Sequence, residues 1–375
     1  MLHVDLPTKS ELETLVAARS EACVSIYLPT HPVTQHMDVD RLEFRSLAER
    51  AVAQVRDRDA AGDRRRAAAL EDLFRALADD PVFWRYQATS LAVLATPDTL
   101  RTYRLPSRLR KISAVSDRFH LRPMLRAVSF PGVVLVLAFA QNSVRLVEVS
   151  PDGPAREIAV PDLPAAIDDL ARTAGDDPDA PARAAGGEAR KTLITKYARA
   201  VDRAVQTVVA GRTVPLILAC VDYLVPIYRS VASSPSLLDE VIVGNPEHLS
   251  AQELAQRARD VLRGQDARYV ADIRERFGRW HATGRASADL SHVARAATVG
   301  AVETLLFDID GATWGHVDPD TGAIRVDGTP SASSYDIVDE TIGRTILTGG
   351  TVLGVRRPDL PDGNSPVAAL LRFAA

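Results

Sequence analysis

The sequence predicts an α/β protein of two or three domains, and three observations carry that reading. The chain has 375 residues, which at roughly 100–200 residues per domain allows two or three domains. Hydrophobic residues make up 46% and charged residues 25%, a balance that lets a soluble chain bury full-sized cores. Apolar runs of strand length alternate with stretches of helical spacing, above all after residue 122, so sheets layered with helices are expected.

The first region, 1–122, opens with Thr8 as a cap for a helix from Lys9, with Glu11 in its first turn. Cys23–Leu28 reads as a strand, stopped by Pro29 and Pro32. Leu42, Leu47, Ala51 and Val55 recur at helical spacing, and Arg64–Leu77 reads as a second helix. Ser90–Ala95 and Thr99–Leu105 read as neighbouring strands.

The second region, 123–247, begins with the apolar strand Val133–Ala140 and the alternating strand Ser143–Val149, joined by Gln141 and Asn142 as turn residues. Ala165–Thr173 is expected to be helical. Gly175–Gly187, with its aspartates, prolines and glycines, is expected to be a loop. A long helix, Arg190–Val209, follows, then a buried strand at Val214–Val221, a short segment at Leu224–Tyr228 and a strand near Glu240–Val243.

In the third region, 248–375, Ser250 and Glu253 have capping-box spacing for a helix that reaches about His281 with a break near Gly264. Leu290–Thr298 and Tyr335–Thr348 read as helices. Val302–Phe307, Thr351–Val355 and Val367–Phe373 read as strands or terminal elements.

Composition removes several function classes. The net charge is −4, so any nucleic-acid contact must come from local basic patches. The two cysteines, Cys23 and Cys220, sit far apart in apolar runs and fit no metal spacing, which suits reduced, buried thiols. No basic segment followed by an apolar one opens the chain, and no apolar run is long enough to span a bilayer. Cytoplasmic localisation, without a membrane partner, is therefore expected. The eight histidines are scattered; His31 and His36 share a loop, but no acidic or cysteine partner stands at ligand spacing. No metal and no cofactor are expected.

Two stretches could carry chemistry by motif alone. FDIDGAT, Phe307–Thr313, resembles the nucleophile loop of haloacid-dehalogenase-like phosphatases, but Ala312 stands where that family has Thr or Val, and too few residues follow. Asp222, Asp239 and Glu240 are the carboxylates a nuclease would need. The run from Arg101 to Arg126 holds Arg101, Arg104, Arg108, Arg110, Lys111, Arg118, Arg122 and Arg126, against one acid, Asp117. It could bind RNA phosphates, with Tyr103, Phe119 and His120 to stack on bases, or simply be solvated.

ARAAGGEARK, from Ala182, joins the acidic loop to a basic amphipathic helix. Leu193, Tyr197, Val201, Ala204, Val205 and Val208 share one face, whereas Arg190, Lys191, Lys196, Arg199 and Arg203 fall largely on the other. Paired glycines let a backbone approach a ligand closely, and a helix N-terminus adds free N–H groups. A hinge and a nucleic-acid-holding loop both fit.

Taken together, VSIYLPTHP, VSDRFHLRP, GVVLVLAFAQNSVRLVEVS, PLILACVDYLVPIYRS and GRASADLSHVARAATVGAVETLLF resemble bacterial relatives of the archaeo-eukaryotic class 1 release factor and pelota family. The resemblance implies three domains: an N-terminal α/β domain (1–122), an RNase H-like middle domain (123–247) and an L7Ae-like C-terminal α/β domain (248–375). It implies a ribosome- or tRNA-associated factor of the release or rescue type, with the C-terminal domain as a platform for a protein partner. True release factors carry Gly-Gly-Gln in the middle domain, where backbone and amide help water attack the peptidyl-tRNA ester. The matching residues here are Gly186, Gly187 and Glu188. The glycines agree and the glutamine does not, which leaves catalysis open: Glu188 could act as a general base, or be repelled by tRNA phosphates. No NIKS-type codon-reading motif is visible, so stop-codon decoding is not expected. A non-catalytic ribosome- or protein-binding factor of the same architecture is the alternative.

Overall fold

The computed structural model describes residues 3–58, 64–130, 132–169, 187–210, 214–328 and 334–374. It is a mixed α/β structure with several sheets. Contacts divide it into two compact units, one of residues 132–265 and one in which residues 2–131 join residues 266–375.

The unit 132–265 is built on a five-stranded sheet. Its strands are β5 (Val134–Phe139), β6 (Val144–Val149), β7 (Arg156–Ile158), β8 (Leu216–Cys220) and β9 (Leu237–Val243), in the order β7-β6-β5-β8-β9. β5 and β6 form an antiparallel hairpin, while β5, β8 and β9 run parallel. β5 is apolar throughout because both its faces are covered. Leu135, Leu137 and Phe139 pack on helix α6 (Gly187–Val209) through Tyr197, Val201 and Val205. Val134, Val136 and Ala138 pack on Leu254, Ala255 and Ala258 of helix α8 (Ala251–His281).

The capping box of α8 forms as its spacing predicts: Ser250 Oγ accepts from the Glu253 N–H, and the Glu253 carboxylate accepts from the Ser250 N–H at 2.8 Å. The expected break near Gly264 is absent, and the helix is continuous. One helical glycine costs only about 1 kcal/mol relative to alanine, which does not interrupt an otherwise favourable helix. Only positions 167–169 of the expected helix Ala165–Thr173 are helical among the described residues, and the expected loop up to Gly186 lies outside them.

In the second unit, α1 (Lys9–Ala17) carries the expected Thr8 cap, which Glu11 completes as a capping box. β1 (Cys23–Pro29), β2 (Ser90–Thr96), β3 (Thr99–Leu105) and β4 (Ile112–Ser116) form an antiparallel sheet in the order β3-β2-β1-β4. β1 shows the strand period: Val24, Ile26 and Leu28 face α2 (Met37–Arg58) and α3 (Arg64–Ala78), whereas Cys23 and Tyr27 face the opposite core. The short helices α4 (Pro81–Arg85) and α5 (Arg122–Ser129) complete this half. They and β4 do not stand out in the sequence, because each is short.

The other half holds β10 (Ala286–Ser287), β11 (Val302–Asp308), β15 (Thr351–Val355) and β16 (Val367–Leu371), in the order β10-β16-β11-β15. Helix α9 (Leu290–Thr298) covers this sheet with α10 (Ile337–Leu347). A small sheet of β12 (Trp314–Val317), β13 (Ile324–Val326) and β14 (Tyr335–Asp336) stands beside them. Tyr335 was expected to open a helix; it is a strand residue, because Asp336 caps α10 by accepting from the Val338 N–H. Cys23, Tyr27 and Tyr103 share one core with Val293, Val302 and Ile342, so the halves of this unit are packed together. Among the described residues, no helix is long and apolar enough to cross a membrane.

Candidate functional site

The parallel strands β5 and β8 end at Phe139 and Cys220, and their carboxyl ends carry the turn 140–143 and the 3-10 segment Asp222–Leu224. This edge of an open α/β sheet is where ligands most often bind. The helix α6, with the expected site at its start, begins here. Gln141 ties the region together through three groups. Its carbonyl accepts from the Ile167 N–H at 2.8 Å. Its side-chain oxygen accepts from Arg190 Nη2 at 3.2 Å, and its amide donates to the Tyr223 hydroxyl at 2.7 Å. Tyr197 adds a hydrogen bond from its hydroxyl to the Ala140 carbonyl at 3.2 Å. Chain positions before and after the Gly-Gly-Glu segment are thus fixed to one turn.

Gly186 lies outside the described residues, as does the side chain of Glu188; Gly187 and Glu188 begin α6. Of the face that the spacing of α6 predicts, Tyr197, Val201, Ala204 and Val205 are buried while Leu193 and Val208 are half-buried; Ile194 and Ala198 join the buried side, and Phe139 stacks on Tyr197 with ring centroids 5.4 Å apart. Arg190, Lys191, Lys196, Arg199 and Arg203 are exposed along the other side. They form a cationic stripe leading from the start of the helix.

The basic run 101–126 is spread through the other unit, with much of its charge compensated. Arg101 lies 4.0 Å from Glu11, and Lys111 pairs with Glu43. Arg104 pairs with Asp5 at 2.5 Å and stacks over Phe83. Arg118 bonds to Asp117 and Glu340 and stacks 3.6 Å over the Tyr335 ring. Arg122 is 4% exposed and lies 2.6 Å from Asp336, so it faces a carboxylate and not solvent. Arg108, Arg110 and Lys111 are exposed. Tyr103 and Phe119 are core residues, 4% and 7% exposed, so the expected stacking role is corrected for both.

The remaining candidates separate cleanly. Asp308 of the FDIDG stretch is buried, and its Oδ2 accepts from Arg357 Nε at 2.9 Å, so it acts as a structural anchor. Asp239 is fully exposed beside Arg229, while its neighbour Glu240 accepts from Gln265 at 2.5 Å. Successive strand residues point to opposite faces, so this pair does not converge as a nuclease site requires. Among the described residues, no group of three or more His, Cys, Asp or Glu could hold a metal ion. Burial pushes the thiols of Cys23 and Cys220 up to about 11 and about 12, which removes both as nucleophiles near neutrality.

Two features escaped the sequence reading. Gln141 is legible there only as a turn residue. His31, expected to have no acidic partner, has one in Asp40: Nδ1 lies 2.7 Å from Oδ1, and the His31 N–H donates to Oδ2 at 2.7 Å. The separation of nine positions hides this pairing from local spacing.

An α/β sheet unit with a glycine-led basic helix at the carboxyl ends of its parallel strands is the part of the chain that known families recognise. Residues 131–270 match the model of bacterial archaeo-eukaryotic release factor family 11. The resemblance read from the sequence is met over this segment, which is similar to bacterial relatives of the archaeo-eukaryotic release factors. No curated protein matches the chain. Among solved structures, the archaeal translation termination factor aRF1 is 16% identical over 98% of this chain and 99% of its own, with a TM-score of 0.26. Archaeal Pelota, from a model of ribosome-bound Pelota and ABCE1, is 14% identical over 76% and 78%, with a TM-score of 0.41. Pelota of Archaeoglobus fulgidus is 13% identical over 99% and 94%, with a TM-score of 0.31. Scores this low add nothing to the match at 131–270.

Proposed function

We propose that the protein is a ribosome- or tRNA-associated factor of the translation release or rescue type. The observation that carries the proposal is that the family match at 131–270 coincides with the compact unit 132–265, in which α6 starts at Gly187 beside the carboxyl edge of the sheet. In this reading the unit is an RNase H-like middle domain within the three-domain plan 1–122, 123–247 and 248–375. The C-terminal domain is L7Ae-like and offers a surface to a protein partner, and the protein works in the cytoplasm.

Gly186 and Gly187 bring backbone N–H groups to a peptidyl-tRNA ester, where they stabilise the developing oxyanion. Glu188 accepts a proton from the attacking water. The exposed Arg190, Lys191, Lys196 and Arg199 hold phosphates beside it, assisted by Arg101, Arg108, Arg110 and Lys111. Arg104, Arg118 and Arg122 serve their internal ion pairs first.

The test of the RNA contact is co-sedimentation with bacterial 70S ribosomes over a salt series, because released counterions make such binding fall steeply with salt. Lys196→Glu with Arg199→Glu should abolish it. A flat salt response, or binding unchanged in the double variant, removes the RNA contact from the proposal.

A second reading is favoured by one observation, the carboxylate at Glu188 where the release factors carry a glutamine. In that reading the protein binds the ribosome or a protein partner without catalysis. Glu188→Ala separates the two: it leaves a silent factor silent and lowers the rate of a catalyst.

A further inference from the structure

We propose that His31 and His36 form a binding site for a borderline divalent transition metal ion, of the zinc and nickel class, on the loop between β1 and α2. The site is independent of the function proposed above.

The first observation is the carboxylate behind His31. Asp40 is 2% exposed and is committed to this one residue, with Oδ1 on the ring Nδ1 and Oδ2 on the backbone N–H, both at 2.7 Å. The backbone contact alone would suffice to close the loop. The ring contact does something further: it places the proton of the neutral imidazole on Nδ1 and leaves the Nε2 lone pair free. A carboxylate holding one ring nitrogen while the other is free is the outer-shell pattern of metal-binding histidines, fixing the tautomer and the ring orientation. The His31 side chain is 40% exposed, so the ring is reachable from solvent.

The second observation is the ring of His36, whose centroid lies 4.8 Å from that of His31 at an interplanar angle of 40°. The tilt is not that of a flat stack. An imidazole bound at about 2.0–2.1 Å through one nitrogen has its centroid about 3.2 Å from the metal. Two such rings at ligand angles of about 90–110° have centroids about 4.5–5.2 Å apart. The observed spacing falls in that interval.

His36 is exposed and ends the short 3-10 turn Thr34–His36, directly before α2, whose first turn carries Asp40. One turn thus presents the second ring and the helix behind it orients the first. Two imidazoles suit zinc, nickel and copper and do not suit magnesium or calcium, which take oxygen ligands. A two-histidine site leaves at least two coordination positions to water or to an incoming donor.

The experiment is calorimetric titration of the full chain with zinc and, separately, with nickel, repeated on His31→Ala, His36→Ala and Asp40→Asn. The proposal expects one equivalent of either metal, lost in both histidine variants and weakened by about 10–100-fold in Asp40→Asn. Because His36 is exposed, His36→Ala keeps the fold and remains informative if Asp40→Asn does not fold. Cobalt loading gives a second readout: a ligand-field absorption band present in the native chain and absent in His36→Ala. Absence of binding, or binding that His36→Ala leaves unchanged, overturns the proposal.

Discussion

One oxygen of Asp339, Oδ2, lies 2.8 Å from Nδ1 of His120 and accepts the Leu121 N–H at 3.0 Å. It thereby joins the start of α10 to the turn that leads into α5. Burial works against the charge on His120, but the hydrogen bond and charge of Asp339 outweigh it and leave its pKa raised. Burial likewise opposes ionisation of Asp339, and the His120 hydrogen bond and charge outweigh it, with a lowered pKa as the result. Arg122, Asp336 and the hydroxyl of Tyr27 stand around the pair.

The sign of the pH dependence follows. The contribution of His120 is complete below its unfolded pKa of about 6.5 and is lost as pH rises through the raised folded value. That of Asp339 is complete above about 3.9 and is lost as pH falls through its lowered folded value. Stability of this unit should therefore decline as pH rises from about 6.5. Denaturant unfolding across this range should show the decline in the native chain and its loss in His120→Gln. Identical profiles would remove the pair as the cause.

Arg122 and Asp336 make the most buried ion pair of this unit's described residues, 4% and 3% exposed. Arg122 Nη2 is 2.6 Å from Asp336 Oδ2, yet the N–H does not align, and neither atom has a hydrogen bond in the structure. Burial accordingly pushes Asp336 up despite the arginine. Arg122→Met leaves a buried carboxylate without its counter-charge and should cost about 3–5 kcal/mol. Asp336→Asn in the same chain should recover part of that, since asparagine still accepts from the Val338 N–H. Urea unfolding of the single and double variants measures the recovery, and additive losses would contradict it.

Gly343 sits where α10 crosses α1, and a Cβ added to it would come 2.8 Å from Val16 Cγ1. Gly343→Ala should destabilise by about 1–3 kcal/mol through overpacking. Val16→Ala in the same chain should offset part of the loss. A thermal shift for Gly343→Ala alone within error of zero would show that the helices separate freely.

Gln141→Ala removes the contacts to Arg190 and Tyr223 at the start of α6. These groups are partly exposed, so global stability should change by only about 0.5–1.5 kcal/mol. The local effect should be larger: hydrogen exchange of the first turns of α6 should quicken while β5 and β8 stay protected. Uniform exchange across the unit would mean that Gln141 does not hold the helix start.

Much of this architecture is legible in the sequence because its signals are local. The capping boxes at Thr8 and Ser250, the doubly apolar β5 and the two faces of α6 all follow from residues within a few positions of one another. What the sequence hides depends on distant partners. The arginines of 101–126 read as a basic patch until Asp5, Glu43, Asp336 and Glu340 arrive from elsewhere in the chain. His31 reads as unpartnered until α2 turns Asp40 back onto it. At the candidate site, the basic face of the helix was legible, but Gln141 was not, since its role needs the carboxyl ends of two strands and a helix start to meet.

The most direct test of the proposed function is single-turnover release of peptide from peptidyl-tRNA on purified 70S ribosomes, comparing the native chain with Gly186→Ala and Glu188→Ala. The account predicts release by the native chain and its loss in Gly186→Ala, with ribosome binding retained. Release that both variants leave untouched, or no release by ribosome-bound native protein, would contradict a catalytic Gly-Gly-Glu segment.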